Sequence, residues 1–162
     1  YSRIENNFPA GIFIKPVSQK QFTGTLIQKR MDLLKIPAQL PDETMVHISE
    51  PIKIISEYRV YVNQNDISRK YGILDIKRYN GSIFENLDYK KIEKVISYYN
   101  DSGASKCYGI DFAVIESSSG KKKTVLVEVN GALQLGSYGL NPYIYADLMR
   151  DAWIEFMERN AE

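Results

Sequence analysis

The stretch Tyr108-Gly109-Ile110-Asp111-Phe112-Ala113-Val114-Ile115, followed by Thr124-Val125-Leu126-Val127-Glu128-Val129-Asn130, decides how this chain folds. Both segments are rich in β-branched and aromatic residues and have the length of a strand. The polar run Glu116-Ser117-Ser118-Ser119-Gly120-Lys121-Lys122-Lys123 between them reads as a hairpin turn. Side chains alternate along a strand, so Glu128 and Asn130 face the same way. A tight turn at Ser119-Gly120 places Asp111 directly opposite Glu128. A longer symmetric loop keeps that register, whereas an odd-length loop or a bulge shifts it. Opposed carboxylates repel unless something positive lies between them. Asp111, Glu128 and the amide of Asn130 are hard oxygen donors, the kind magnesium takes beside phosphates. The alternative is a solvated sheet face, or carboxylates paired with lysines. Gly131 and the loop Gly136-Ser137-Tyr138-Gly139 favour a site at the strand end.

Working outward, Gly11-Ile12-Phe13-Ile14-Lys15 reads as a buried strand stopped by Pro16, and Thr25-Leu26-Ile27-Gln28 as its returning partner. Residues 16–24 are then a hairpin loop. Met45 to Ile48 and Ile54 to Val62 read as further strands, with Pro37, Pro41 and Pro51 punctuating the region. Asp88 is a natural N-cap for a helix presenting Ile92, Val95, Ile96 and Tyr99, ending before Gly103. Asn141-Pro142 opens a last helix whose inner face is expected to carry Tyr145, Leu148, Met149, Ala152 and Phe156. Hairpins dominate and no regular βαβ rhythm appears, so the expected class is α+β with antiparallel sheets.

Bulk composition narrows the function classes. At 162 residues the chain can bury a real core. A net charge of +1 gives no field that selects nucleic acid or an anionic membrane. The basic run Lys121-Lys122-Lys123 reads as a solvated turn. Cys107 stands alone, which excludes an internal disulfide and fits a reducing, cytoplasmic compartment. His47 lies in an apolar run without a Cys or His partner in sequence, so zinc chemistry is not expected. No apolar run is long enough to span a membrane, and no secretory signal is visible. The chain opens on Tyr1 instead of Met, which reads as a domain taken from a longer protein.

Lys15 ends an apolar strand, and the next loop carries Ser18, Lys20, Thr23 and Gly24. Small, hydroxyl and cationic residues on a loop can wrap phosphates through backbone N–H groups. The spacing is not that of a P-loop, and a lysine snorkelling from a hairpin end fits equally. Glu57 and Arg59 share a strand face, either as a local pair or with the arginine aimed at an anionic ligand. Arg78, before Tyr79-Asn80-Gly81, carries the same two readings.

Taken in order, Phe13-Ile14-Lys15-Pro16, Lys20-Gln21-Phe22-Thr23-Gly24, Ser49-Glu50-Pro51, Glu57-Tyr58-Arg59-Val60, Asp111-Phe112 and Glu128-Val129-Asn130 resemble the succession used by ATP-grasp proteins. A subgroup found in bacteria and their phages also carries a segment similar to Gly136-Ser137-Tyr138-Gly139-Leu140 and a late tryptophan like Trp153. The resemblance covers nearly the whole chain. It implies an ATP-grasp-like fold of two α+β subdomains, 1–48 bearing the lysine hairpin and 49–162 bearing the metal site, with the nucleotide between them. It implies that Lys15 contacts ATP phosphates, that Lys20, Thr23 and Gly24 close over them, and that Ser49 and Glu50 form the hinge reading adenine and ribose. Asp111, Glu128 and Asn130 resemble the magnesium ligands. Arg59 and Arg78 are then expected to face the transferred phosphoryl group or the acid substrate.

The implied activity is an ATP-dependent carboxylate–amine (peptide-like) ligase that forms an acyl phosphate and releases ADP. An ATP-grasp phosphotransferase and a non-catalytic nucleotide-binding module are the alternatives. Implied cofactors are ATP and Mg2+. Implied partners are small-molecule or peptide carboxylate and amine substrates, with neither nucleic acid nor membrane. ATP-grasp enzymes carry an upstream domain, little of which fits before Lys15. The remainder of the catalyst is therefore expected in an upstream domain of the same protein.

Overall fold

Two antiparallel sheets organise the chain. The structure is a computed structural model that describes residues 11–18, 21–117 and 119–161. The chain divides into two compact units, Tyr1–Ile52 and Lys53–Glu162.

The first unit holds strands β1 (Ile12–Pro16), β2 (Thr25–Ile27) and β3 (Val46–Ser49), in the order β2-β1-β3. The hairpin read from the sequence is present, with Ile12 opposite Ile27 and Ile14 opposite Thr25. Ile12, Ile14 and Ile27 face one way and form a small core with Phe22, Leu33 and Ile36. A single 3-10 turn over Arg30–Lys35 follows β2. Its start is fixed by Asp32, whose carboxylate accepts the backbone N–H groups of Gln28 and Lys29 and the Lys35 ammonium. The Lys35 hydrogen bond first, then the two N–H groups, holds that carboxyl well below the usual range.

The second unit is built on a four-stranded sheet of order β5-β4-β6-β7. Its strands are β4 (Lys53–Asn63), β5 (Ile73–Gly81), β6 (Cys107–Glu116) and β7 (Lys122–Gly131). Strand β5 was not expected from the sequence. It lies at the sheet edge and carries Asp75, Lys77, Arg78 and Asn80, so its apolar alternation is broken by residues whose polar tips are tolerated there. Helix α1 (Tyr89–Asp101) begins where expected, with the Asp88 carboxylate accepting the Lys91 N–H at 3.2 Å. Ile92 and Ile96 are buried, and Val95 and Tyr99 pack beside them, against Val60, Val62, Tyr108, Ile110, Phe112 and Val114. Each such fully buried side chain contributes about 1.5–3 kcal/mol of hydrophobic stabilisation.

Helix α2 (Pro142–Arg159) covers part of the other sheet face. Asn141 caps it and Pro142 occupies its first turn, as the sequence indicates. Leu148 and Ala152 are buried, with Tyr145 and Met149 at their side. Phe156 departs from expectation: it is exposed and stacks on Trp153, with ring centroids 5.6 Å apart. Glu155 takes the buried position instead. Its carboxylate accepts the Lys106 N–H at 2.9 Å and the Ser105 hydroxyl at 2.9 Å, and pairs with Arg159 at 2.7 Å. Burial alone would raise this carboxyl's pKa, but those hydrogen bonds outweigh it and the net shift is downward. The opening of β6 has N–H groups that need an acceptor, and a glutamate satisfies them where a phenylalanine cannot. No helix among the described residues is long and apolar enough to cross a membrane.

Candidate carboxylate site on the second sheet

The register across the second sheet assembles the site. Lys77 on β5 opposes Arg59 on β4, Arg59 opposes Asp111 on β6, and Asp111 opposes Glu128 on β7. Opposed residues share a face, so two cations and two carboxylates form one row. The Asp111–Glu128 pairing is the expected one, but it arises differently. The loop from 117 to 121 has odd length, so Glu116 meets Lys122 and the register near the turn is displaced by one. A bulge between Asp111 and Phe112, with the extra residue Val127 on β7, restores it.

Arg59 supplies the positive charge that the acidic pair requires. Its Nε donates to Asp111 Oδ1 at 2.8 Å and its Nη2 to Oδ2 at 2.7 Å. Arg59 is 7% exposed and Asp111 1%, so this is a buried bidentate pair. Taking both ions out of water costs several kcal/mol each, which the paired geometry must offset. The hydrogen bond to Asp111 drives the guanidinium pKa upward against the opposing effect of burial. Gly109, next but one to Asp111, allows this packing. A Cβ there would lie 2.6 Å from Leu135 and 3.3 Å from Arg59 Cδ.

Tyr79 completes the cluster through a bulge in β5. Asn80 opposes Glu57 and Arg78 opposes Tyr58, which leaves Tyr79 as the extra residue. Its hydroxyl donates to Asp111 Oδ2 at 3.2 Å, and Asn80 Nδ2 donates to Glu57 at 2.8 Å. Glu57 thus pairs with Asn80, not with Arg59 beside it. Burial, followed by the Asp111 and Glu57 charges, pushes the Tyr79 phenol above its ordinary value. Its ring stacks on Tyr138, centroids 4.9 Å apart and 18° from parallel. The Arg59 guanidinium carbon lies 5.7 Å from the Tyr79 ring centre and 5.0 Å from that of Tyr138. Tyr138 adopts φ +42°, a left-handed conformation unfavourable for a bulky residue. The segment before it is tied down by Tyr61 Oη to the Gly136 carbonyl at 2.6 Å and Tyr145 Oη to Leu135 O at 2.7 Å.

Glu128 is exposed and receives the Asn130 amide N–H at 2.9 Å. Among the described residues no three His, Cys, Asp or Glu side chains converge on a metal position. Two carboxylates and an amide oxygen instead suit a cation such as magnesium, which keeps several waters or phosphate oxygens in its shell. Arg78 lies on the opposite face, opposed to Tyr58, and donates to the Gly81 carbonyl at 2.7 Å. Sequence reasoning missed Tyr79 and Lys77, since nothing in the sequence marks β5 or its bulge.

The remaining candidates belong to the first unit. Lys15 is exposed on β1 opposite His47. Thr23 is exposed, and its carbonyl accepts the Thr25 hydroxyl at 2.8 Å. Gly24 lies over the Phe13 ring, where a Cβ would come within 2.5 Å. Ser49 pairs with Phe13 at the end of β3, and Glu50 follows it; both are exposed. Lys20 lies outside the described residues.

Comparison with known families matches residues 2–148 to an ATP-grasp domain, family 2 of its clade. No curated protein matches the chain in sequence. Among solved structures, the chain is similar to the macrocyclase MdnC, bound with precursor peptide MdnA, from Microcystis aeruginosa MRC. That match has a TM-score of 0.54 at 17% identity and covers 98% of this chain and 50% of the macrocyclase. It is also similar to N5-carboxyaminoimidazole ribonucleotide synthetase from Thermotoga maritima. There the TM-score is 0.53 at 15% identity, over 94% of this chain and 41% of the synthetase. The chain thus spans about half the length of the solved structures it matches, and at these identities the likeness shows the fold.

Proposed function

The chain belongs to the ATP-grasp domain family, and from that membership we propose that it is the nucleotide- and magnesium-holding part of an ATP-dependent carboxylate–amine ligase. The observation that carries the site assignment is the row Arg59–Asp111–Glu128, with Asn130 bonded to Glu128 on one polar sheet face. Asp111, Glu128 and Asn130 would hold magnesium, which neutralises charge developing on phosphoryl oxygens. Arg59, fixed between a carboxylate and two aromatic rings, faces an anionic group with little freedom to lose on binding. Lys15, Lys20, Thr23 and Gly24 are the proposed phosphate contacts, and Ser49 and Glu50 the proposed adenine and ribose contacts. Arg78 lies on the other face of its sheet and is given no part in the carboxylate cluster.

In this reaction a substrate carboxylate takes the terminal phosphoryl group of ATP, releasing ADP. An amine then attacks the acyl carbon and phosphate leaves. Both structural neighbours are consistent with such chemistry, and the macrocyclase, bound with a precursor peptide, makes peptide substrates the first to try. The single buried cysteine suits a cytoplasmic setting. The test is hydroxylamine trapping with the parent protein, ATP, magnesium and candidate acids. A hydroxamate formed together with ADP and phosphate supports the ligase. A stable phosphorylated product points to a phosphotransferase, and pyrophosphate release overturns the ADP-forming assignment.

A further inference from the structure

Asp111 is already occupied by protein donors. Arg59 engages both carboxylate oxygens, and the Tyr79 hydroxyl adds a third contact. A guanidinium and a divalent cation on one buried carboxylate repel each other strongly at such distances. Magnesium can reach Asp111 only as Arg59 gives up its bonds. The freed guanidinium would need a new partner in a place where it is 7% exposed, and leaving it unpaired would be costly.

Two aromatic faces are in position to receive it. The Tyr79 and Tyr138 rings stack together and lie 5.7 and 5.0 Å from the guanidinium carbon. Ring faces attract cations, most strongly where water is excluded. Tyr138 holds a left-handed backbone that costs about 1–3 kcal/mol and persists only where surrounding contacts enforce it. The Tyr61 and Tyr145 hydroxyls provide those contacts on the preceding residues. Strain maintained at this point puts an aromatic ring over Arg59, and the missing side chain at Gly109 gives the arginine stem room to shift.

We propose that Arg59 is the resident counter-ion of Asp111, and that Tyr79 and Tyr138 are positioning residues that take over its guanidinium when Asp111 turns to a divalent cation. The proposal rests on the metal assignment above and adds to it an exchange: cation uptake and delivery of Arg59 toward an anionic substrate are one event. A site without magnesium then keeps its arginine locked on Asp111 and does not engage phosphate.

The exchange is read from the Arg59 side-chain Nε–H resonance, assigned by its loss in Arg59→Met. Magnesium chloride is titrated alone, and again with a non-hydrolysable ATP analogue, while calorimetry records the binding isotherm. The resonance should shift with the same midpoint as the heat. Arg59→Met should bind magnesium about tenfold more tightly, since the competing charge-assisted bonds are gone. Tyr138→Ala, on an exposed loop, should bind it about fivefold more weakly because the freed cation loses its acceptor. If Arg59→Met does not fold, the wild-type resonance and Tyr138→Ala still decide. Magnesium binding that needs Glu128 but leaves the Arg59 resonance unmoved overturns the exchange and spares the metal assignment. Equal or weaker magnesium affinity in folded Arg59→Met overturns it as well. Absence of magnesium binding under both conditions sinks the exchange and the metal assignment together.

Discussion

Replacing Glu128 with alanine separates metal binding from folding, because Glu128 stands at the edge of the cluster. It is exposed and, among the described residues, its side chain bonds to Asn130, while Asp111 opposite is neutralised by Arg59. An exposed residue with so few contacts changes stability by no more than about 0.5 kcal/mol, and relief of like charge acts in the favourable direction. The melting temperature of Glu128→Ala without ligand should therefore equal that of the wild type or slightly exceed it. Magnesium-ATP at a hundred times its dissociation constant stabilises the wild type by about 2.7 kcal/mol. For a chain of this size that is about 5–10 °C. A thirtyfold loss of affinity in the variant leaves about 0.8 kcal/mol, or about 2–3 °C. Differential scanning fluorimetry across a magnesium-ATP series measures both quantities on the same samples. A variant that keeps the full wild-type shift at every concentration would refute the assignment of Glu128 to the metal.

Lys15→Ala should weaken ATP binding at least about tenfold while leaving adenosine unchanged, as calorimetry with both ligands would show; equal losses would mean that the lysine acts through the fold. Asp111→Ala leaves a buried guanidinium without its carboxylate and should cost about 3 kcal/mol in urea unfolding, whereas a cost below about 1 kcal/mol would contradict the buried pair. Glu155 has a pKa below its ordinary value, so its contribution is fully present above the ordinary glutamate range and is lost as pH falls through the lowered value. The stability gap between wild type and Glu155→Gln should accordingly narrow on acidification from neutral pH to below about pH 4, and a gap independent of pH would remove the ionised carboxylate from the explanation.

Local chemistry was legible in the sequence wherever a few neighbouring residues settle the outcome. Asp88 and Asn141 cap their helices because a short polar side chain reaches the N–H groups of the first turn, whatever packs elsewhere. The strand pair carrying Asp111 and Glu128 was read from alternation, and the order of motifs pointed to the family whose profile the chain matches. Placement across the sheet required the tertiary structure. The odd loop and the bulge at Val127 each shift register by one and cancel, a result fixed by pairing along the whole hairpin. Phe156 and Glu155 are adjacent on one helix, and periodicity favours the apolar residue for the interior. Only the unsatisfied N–H groups at the start of β6 decide that the carboxylate goes inside. Arg59 and Arg78 looked equivalent in sequence, yet the β5 bulge puts Tyr79 beside Asp111 and turns Arg78 to the other face. Which charge meets which is set by strand order and register, and those are properties of contacts between residues far apart in the chain.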